Sequence, residues 1–206
     1  MLFRSENRPR IIREIADEVQ GILMAYLPGD EGGRAIASVL YGDENPSGKL
    51  PFTYPRFTGS LIPYDHKYSE KLDKNFGENG YNPQFSFGFG MSYTTFQFSD
   101  LTLSRDSLSA DENLIVTVKI KNTGKKQGKE VVQLYLSDLV ASITPSVRKL
   151  KRFQKIDLKP DEMKEIRFIL SKKDYEFLGS NNKRIVEPGE FEIVIGNLSK
   201  KFKLLK

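Results

Sequence analysis

Residue types that could do chemistry stand in four places along the chain. Asp30 and Glu31 are adjacent carboxylates just ahead of an apolar-periodic stretch; His66, the only histidine, lies in Pro63-Tyr64-Asp65-His66-Lys67-Tyr68. Glycines gather at Gly29, Gly32 and Gly33 and again at Gly88 and Gly90, and lysines at 125–129, 148–152 and 200–203. Hydrolysis of a glycosidic bond usually takes two carboxyls placed across that bond. Neighbours at a helix start cannot easily reach opposite sides of one sugar, and capping by Asp30 with a favourable dipole interaction for Glu31 explains the pair without catalysis. His66 could shuttle a proton or donate to a sugar hydroxyl, although a lone loop histidine more often donates to a backbone carbonyl. One histidine without cysteines builds no metal centre of its own. Neither glycine run fits a phosphate loop, since no Gly-Lys-Ser/Thr follows and no Gly-x-Gly-x-x-Gly joins a strand to a helix. Gly88 and Gly90 alternate with Phe87 and Phe89 as close-packing glycines of extended chain would. No cofactor and no metal are therefore expected.

Charge separates the chain into halves. Residues 1–100 carry 10 Lys+Arg against 13 Asp+Glu, and residues 101–206 carry 22 against 14, so the second half reads as a separate unit. Its lysines alternate with apolar residues and no aromatic platform is interleaved with them, which favours a solvated face over a nucleic-acid surface. A chain of 206 residues holds one large domain or one and a half. With 14 Phe and 9 Tyr it has ample material for a packed core, but without Trp any stacking of a ligand on an aromatic face would fall to Tyr and Phe. No run approaches the ~18 apolar residues of a membrane span, and the first ten residues lack the apolar core of a signal peptide, so the chain reads as soluble, with its compartment open.

The elements that must position these residues change character along the chain. Pro9 stands at a plausible first helical position, Ile11, Ile12, Ile15 and Val19 share a helical face, and Gly21 closes it. Ile22–Leu27 reads as a buried strand stopped by Pro28-Gly29, and the spacing of Ala35, Ile36, Val39 and Leu40 predicts a helix over 32–41 ended by Gly42. A single strand leaves both edges unpaired, so this segment needs strands from outside or pairing elsewhere. From Gly42 to Ser92 glycine and proline abound and neither period holds, yet ten aromatics suggest an ordered wrap between two domains rather than a free linker. Beyond Ser92 strict alternation begins. Leu114, Val116, Val118 and Ile120 share one face, then Val132, Leu134 and Leu136, then Ile166, Phe168 and Leu170, then Phe191, Ile193 and Ile195. Turn signals at 122–124, 159–161 and 187–189 separate them, which predicts an immunoglobulin-like antiparallel β-sandwich.

Three ordered motifs carry a resemblance. Pro28-Gly29-Asp30-Glu31-Gly32-Gly33, then Gly42-Asp43-Glu44-Asn45-Pro46-Ser47-Gly48-Lys49-Leu50-Pro51, then Phe87-Gly88-Phe89-Gly90-Met91-Ser92-Tyr93-Thr94-Thr95-Phe96 resemble the C-terminal part of a glycoside hydrolase family 3 β-glucosidase, from about Arg8 onward. The resemblance implies a parent of three parts: a barrel, an α/β sandwich and a fibronectin type III-like domain. It implies that the catalytic Asp lies in the barrel and the usual acid/base Glu upstream of Pro28, so no catalytic residue is expected here.

The expected fold is α+β: a partial α/β layer over 1–50, the ordered wrap over 51–92, and an immunoglobulin or fibronectin III-like sandwich over 93–206. The implied partners are an oligosaccharide or glycoside acting through the parent, together with upstream catalytic domains or a second copy, and neither nucleic acid nor membrane. Asp30, Glu31, Tyr64 and His66 are the candidate substrate contacts. Two alternatives stay open. One is a non-catalytic sandwich that binds glycan or protein through exposed Tyr64, Tyr68, Tyr81 and His66; the other is a module for acidic polymers.

Overall fold

The structure, a computed structural model, describes residues 9–60, 63–67 and 81–206, and the backbone alone of residues 2–4. The chain divides into two compact units, Met1–Tyr64 with Ser69–Tyr93, and Asp65–Tyr68 with Thr94–Lys206.

In the first unit, β1 (Leu2–Arg4) and β2 (Ile22–Met24) pair in parallel, Leu2 opposite Ile22 and Arg4 opposite Met24. The strand expected over 22–27 is thus half that length, and the chain itself supplies its neighbour. Tyr26 ends the extended run by turning to φ +51°. The helix expected from Pro9 to Val19 shrinks to one turn, α1 (Arg13–Ala16). Only Ile12 of its four apolar residues is buried, and no side chain caps it, so the packing that holds a short helix in water is mostly lacking. By contrast α2 (Gly32–Tyr41) has the expected bounds. Gly42, at φ +83°, ends it in the left-handed conformation and donates its N–H to the Val39 carbonyl at 3.2 Å.

The loop-rich stretch after α2 pairs with itself. Leu50 donates to the Phe89 carbonyl and Gly88 to that of Leu50, both at 2.8 Å, and Tyr54 exchanges bonds with Phe85 and Gln84. Phe85 stacks on Phe89 at 5.1 Å, with Tyr54 edge-on to Phe85. A Cβ on Gly90 would sit 2.1 Å from the Gly48 carbonyl oxygen, so two backbones meet there and only glycine fits. Gly88 differs from the expectation: it takes φ +80° and makes a turn rather than extended packing.

In the second unit two sheets face each other. One holds β3 (Phe96–Leu103), β5 (Leu114–Asn122) and β8 (Met163–Leu170) in the order β3-β5-β8. The other runs β4-β12-β11-β6-β7, from β4 (Ser107–Ser109), β6 (Gly128–Asp138), β7 (Lys149–Leu158), β11 (Gly189–Ile195) and β12 (Leu198–Leu205). One turn of helix, α3 (Lys172–Tyr175), and a ribbon of β9 (Phe177–Leu178) with β10 (Arg184–Ile185) connect β8 to β11. Pairing is antiparallel apart from β12 with β4, at the sheet edge. All four predicted apolar faces are buried and meet in a single core, because a period of two sends alternate side chains to one face.

The β5–β6 turn is built on one buried amide. Asn122 Oδ1 accepts from Thr94 Oγ1 at 2.7 Å and from the Gly124 N–H at 3.0 Å, while Nδ2 donates to the Lys126 and Leu158 carbonyls at 2.8 and 3.0 Å. Asn122 is 0% exposed, so these four bonds use its full capacity.

Candidate functional site

Asp30 and Glu31 stand at the entry to α2, in the first unit. Gly29, at φ +69°, turns the chain and accepts from the Gly32 N–H at 3.1 Å. Gly32 is buried against Pro28, where an added Cβ would meet the ring at 2.5 Å. The N-cap is Glu31 rather than Asp30, and no side chain caps the helix. Capping therefore does not explain Asp30: the turn places it one residue too early. Both residues are exposed, and among the described residues neither carboxylate makes an ion pair. Tyr64, in the same unit, stacks face to face on Phe87 at 4.1 Å.

His66 belongs to the second unit. Its carbonyl accepts the Val147 N–H at 2.8 Å, and Lys67 forms an isolated antiparallel bridge with Ser146 and donates its ammonium to the Thr144 carbonyl. His66 is half-buried, as are Tyr64 and Tyr81, so these three are not the exposed set expected of a surface reader; Tyr68 lies outside the described residues.

The second unit also contains a cavity of about 180 Å³ that the residue types did not announce. It opens at the end of the sandwich where β6 and β7 run out, walled by the 141–146 loop, Lys67, and the chain from Asp174 to Leu178. One carboxylate on a buried face, one pairing irregularity and one ion pair shape it. On β6 the buried face of Leu134 and Leu136 continues to Asp138, whose Oδ1 is buried without a hydrogen-bond partner in the protein. On β7 the register steps from Leu134↔Arg152 to Tyr135↔Leu150, leaving Lys151 as the extra residue of a bulge. Arg152, its neighbour, donates from Nη1 and Nη2 to the two carboxylate oxygens of Asp174, both at 2.7 Å, and Asp174 Oδ2 also accepts the Ser171 N–H at 2.8 Å. That clamp fixes Tyr175, whose ring packs on Phe191 and Phe202 at 5.8 and 5.9 Å. Its hydroxyl, on a residue 3% exposed, likewise has no partner in the protein.

Burial sets the electrostatics of this cavity. It raises the Asp138 carboxyl above its ordinary value, opposed by the Val140 N–H and aided by nearby Glu187. It lowers the Lys151 ammonium, against the pull of Asp174. It raises the Tyr175 phenol strongly, with Asp174 adding to the effect. The 148–152 run is therefore not wholly the solvated face that its composition suggested: Lys149 is exposed, Lys151 is half-buried, and Arg152 holds Asp174. One signal could have been read from sequence, a carboxylate at Asp138 in step with Val132, Leu134 and Leu136.

Comparison with known proteins bears on both units. A family model for the glycosyl hydrolase family 3 C-terminal domain matches residues 3–93, and one for a fibronectin type III-like domain matches residues 130–199. The chain is 43% identical to the lysosomal beta glucosidase of Dictyostelium discoideum, over 96% of this chain and 25% of that protein. It is 37% identical to the periplasmic beta-glucosidase of Salmonella typhimurium, over 95% of this chain and 27% of that protein. The chain thus spans about a quarter of the length of these relatives. A solved β-glucosidase from Listeria innocua, bound to laminaribiose, superposes with a TM-score of 0.91 at 32% identity, over 99% of this chain and 30% of that one.

Proposed function

The chain belongs to glycoside hydrolase family 3, of which it carries the C-terminal part, and from that premise we propose that it completes an enzyme releasing terminal β-linked sugars from oligosaccharides or glycosides. The observation that carries this reading is the 43% identity to a beta glucosidase along nearly all of the chain. In the whole enzyme the reaction is a retaining double displacement between two carboxyls. The resemblance puts both of those upstream of Pro28, so this chain alone does not hydrolyse glycosides.

Its part is support and positioning. Residues 1–50 are the end of an α/β sandwich, 51–92 an ordered connection, and 93–206 the fibronectin III-like module. The first unit is in keeping with that role: two three-residue strands do not make a self-sufficient sheet, and Leu27 and Tyr41 are 74% and 85% exposed, apolar surface that a neighbouring layer would cover. Asp30, Glu31, Tyr64 and His66 remain the proposed sugar contacts. The two carboxylates are solvent-facing and the phenol stands on an aromatic stack, both suited to hydroxyl-rich ligands.

Two measurements test the reading. The purified chain, given a chromogenic aryl β-glucoside or β-xyloside, is expected to show no turnover above a heat-treated control; turnover refutes its inactivity. Grafted in place of the matching quarter of the Dictyostelium enzyme, it is expected to preserve glucosidase activity. A folded, soluble but inactive chimera refutes its role.

A further inference from the structure

A regular strand alternates its side chains, and a lysine on its outward face stays hydrated and charged. The bulge in β7 breaks that alternation at Lys151, which is half-buried and lines the cavity, whereas Lys149 and Lys155 to either side are exposed. Among the described residues the Lys151 ammonium makes neither a hydrogen bond nor an ion pair. Lys119 and Lys172 differ: they reach Asp100 at 3.0 Å and Asp111 at 2.8 Å.

What surrounds Lys151 is mostly cationic. Lys149 and Arg152 flank it on β7, and Arg184 acts on it from β10. Asp174 attracts it, but both oxygens of that carboxylate already bond Arg152, and Oδ2 also accepts the Ser171 N–H. Lys67, Asp138 and Glu176 complete the charged lining, and burial makes Asp138 hold its proton more readily, which weakens it as a counter-charge. Partial burial and like charge both favour the neutral amine over the ammonium, and both lower Lys151. Desolvation and an adjacent cation are the means by which proteins activate a lysine toward carbonyl carbon.

The nitrogen is also within reach. Among the described residues of this unit, the side-chain polar atoms sealed from solvent without a partner are Asp138 Oδ1 and the Tyr175 hydroxyl. The Lys151 nitrogen has no partner either, yet it is not sealed with them, so it keeps access to solvent. The cavity beside it, at about 180 Å³, equals roughly six waters of ~30 Å³ each, which admits a molecule of a few carbons and no more.

We propose that Lys151 is a covalent modification site for small aldehydes, which condense with its amine to an imine. The nitrogen lone pair forms a C–N bond to the carbonyl carbon as the C=O π electrons pass to oxygen. Nitrogen gives up a proton and oxygen takes one, and the carbinolamine then loses water to leave C=N. The step consumes no oxidant or reductant. It lies within the second unit and is measured without glycoside turnover, so it and the hydrolase reading can fail separately.

The test treats the full chain with glycolaldehyde and cyanoborohydride, which reduces each imine to a stable secondary amine, and reads the rate at every lysine by peptide mass spectrometry. At pH 7 Lys151 is expected to react at least about threefold faster than Lys149 and Lys155. The free-base fraction of an amine rises roughly tenfold for each unit by which its pKa falls, and the weaker nucleophilicity gives back only part of that. At about pH 11, above the ordinary lysine value of ~10.4, the advantage is expected to vanish. Oxidised dextran, whose aldehydes sit on a polymer too large for the cavity, is expected to modify Lys149 and Lys155 and spare Lys151. Arg184→Glu removes one crowding cation and is expected to slow Lys151 at pH 7 without changing Lys155. Three outcomes overturn the proposal: Lys151 no faster than its neighbours at pH 7; an advantage that persists unchanged at about pH 11; or the same advantage with dextran as with glycolaldehyde. All three are read on the unaltered protein.

Discussion

Replacing Asn122 tests the central claim that the β-sandwich is pinned by a fully used buried amide. The Asn122→Ala variant removes four hydrogen bonds of 2.7–3.0 Å from a residue with no exposure. The bonds to Thr94 and to the Leu158 carbonyl are buried, and losing each costs about 1–1.5 kcal/mol; those to Lys126 and Gly124 are partly accessible, and water recovers most of their value. The sum is about 3 kcal/mol, a large share of the ~5–15 kcal/mol that holds a domain. At a urea slope of ~1.5 kcal/mol per molar the midpoint falls by about 2 M. The assay is urea unfolding followed by amide signals of β5 and β8, which report the second unit alone. The nearly isosteric Asn122→Asp sharpens it by setting a carboxylate against two carbonyls. That carboxyl has its folded pKa raised, so the folded state binds more protons than the unfolded one. Stability of the variant is highest below the unfolded value of ~3.9 and falls as pH rises through the folded value. A midpoint for Asn122→Ala within about 0.3 M of the parent, or an Asp variant no weaker at pH 7 than at pH 3.5 relative to it, refutes the reasoning.

The other expectations follow from single contacts. Arg152→Ala strips a nearly buried carboxylate, Asp174, of its bidentate partner; because the guanidinium is 38% exposed, the expected loss is about 1–3 kcal/mol by thermal melting, and Arg152→Lys restores little of it because a point charge cannot bridge both oxygens. Gly90→Ala drives a methyl into the Gly48 carbonyl and is expected to destabilise the first unit by about 2 kcal/mol, read as faster proteolysis within residues 42–60; an unchanged digestion rate counts against that close approach. For Asp138, whose folded pKa lies above the ordinary 3.8, the stabilising proton is fully held below that value and lost as pH rises through the folded one. Melting temperature of the ligand-free chain is therefore expected to decline upward from about pH 4, and less so in Asp138→Asn. Lys151, lowered from 10.5, acts in the opposite sense: stability is expected to rise with pH between its folded value and 10.5, and Lys151→Met abolishes that rise.

The β-sandwich was legible because one periodicity fixes it. Val116, Val118 and Ile120 can be buried together only if the chain is extended and alternates, and every residue of the predicted faces is buried. The helix over 32–41 was legible for a similar reason, with Gly42 marking its end. The first nineteen residues misled because a helical apolar face promises a surface to pack on, and only Ile12 finds one. Asp30 misled because a cap depends on where the first helical dihedral falls, and Gly29 moves that point by a residue. His66 and its neighbours carried no period at all; their half-burial follows from a backbone bridge to residues 146–147, some eighty positions away.

The amino-acid order alone determined which residues of the β-sandwich strands face its core and which motifs mark the family, since both depend on spacing along the chain. Only the tertiary structure decided which polar groups meet. Asp138, Lys151 and Tyr175 come from three separate segments, brought to one cavity by the end of β6, a bulge in β7 and the Arg152–Asp174 clamp. Each of those depends on cross-strand register and through-space pairing, which exist only once distant parts of the chain lie side by side.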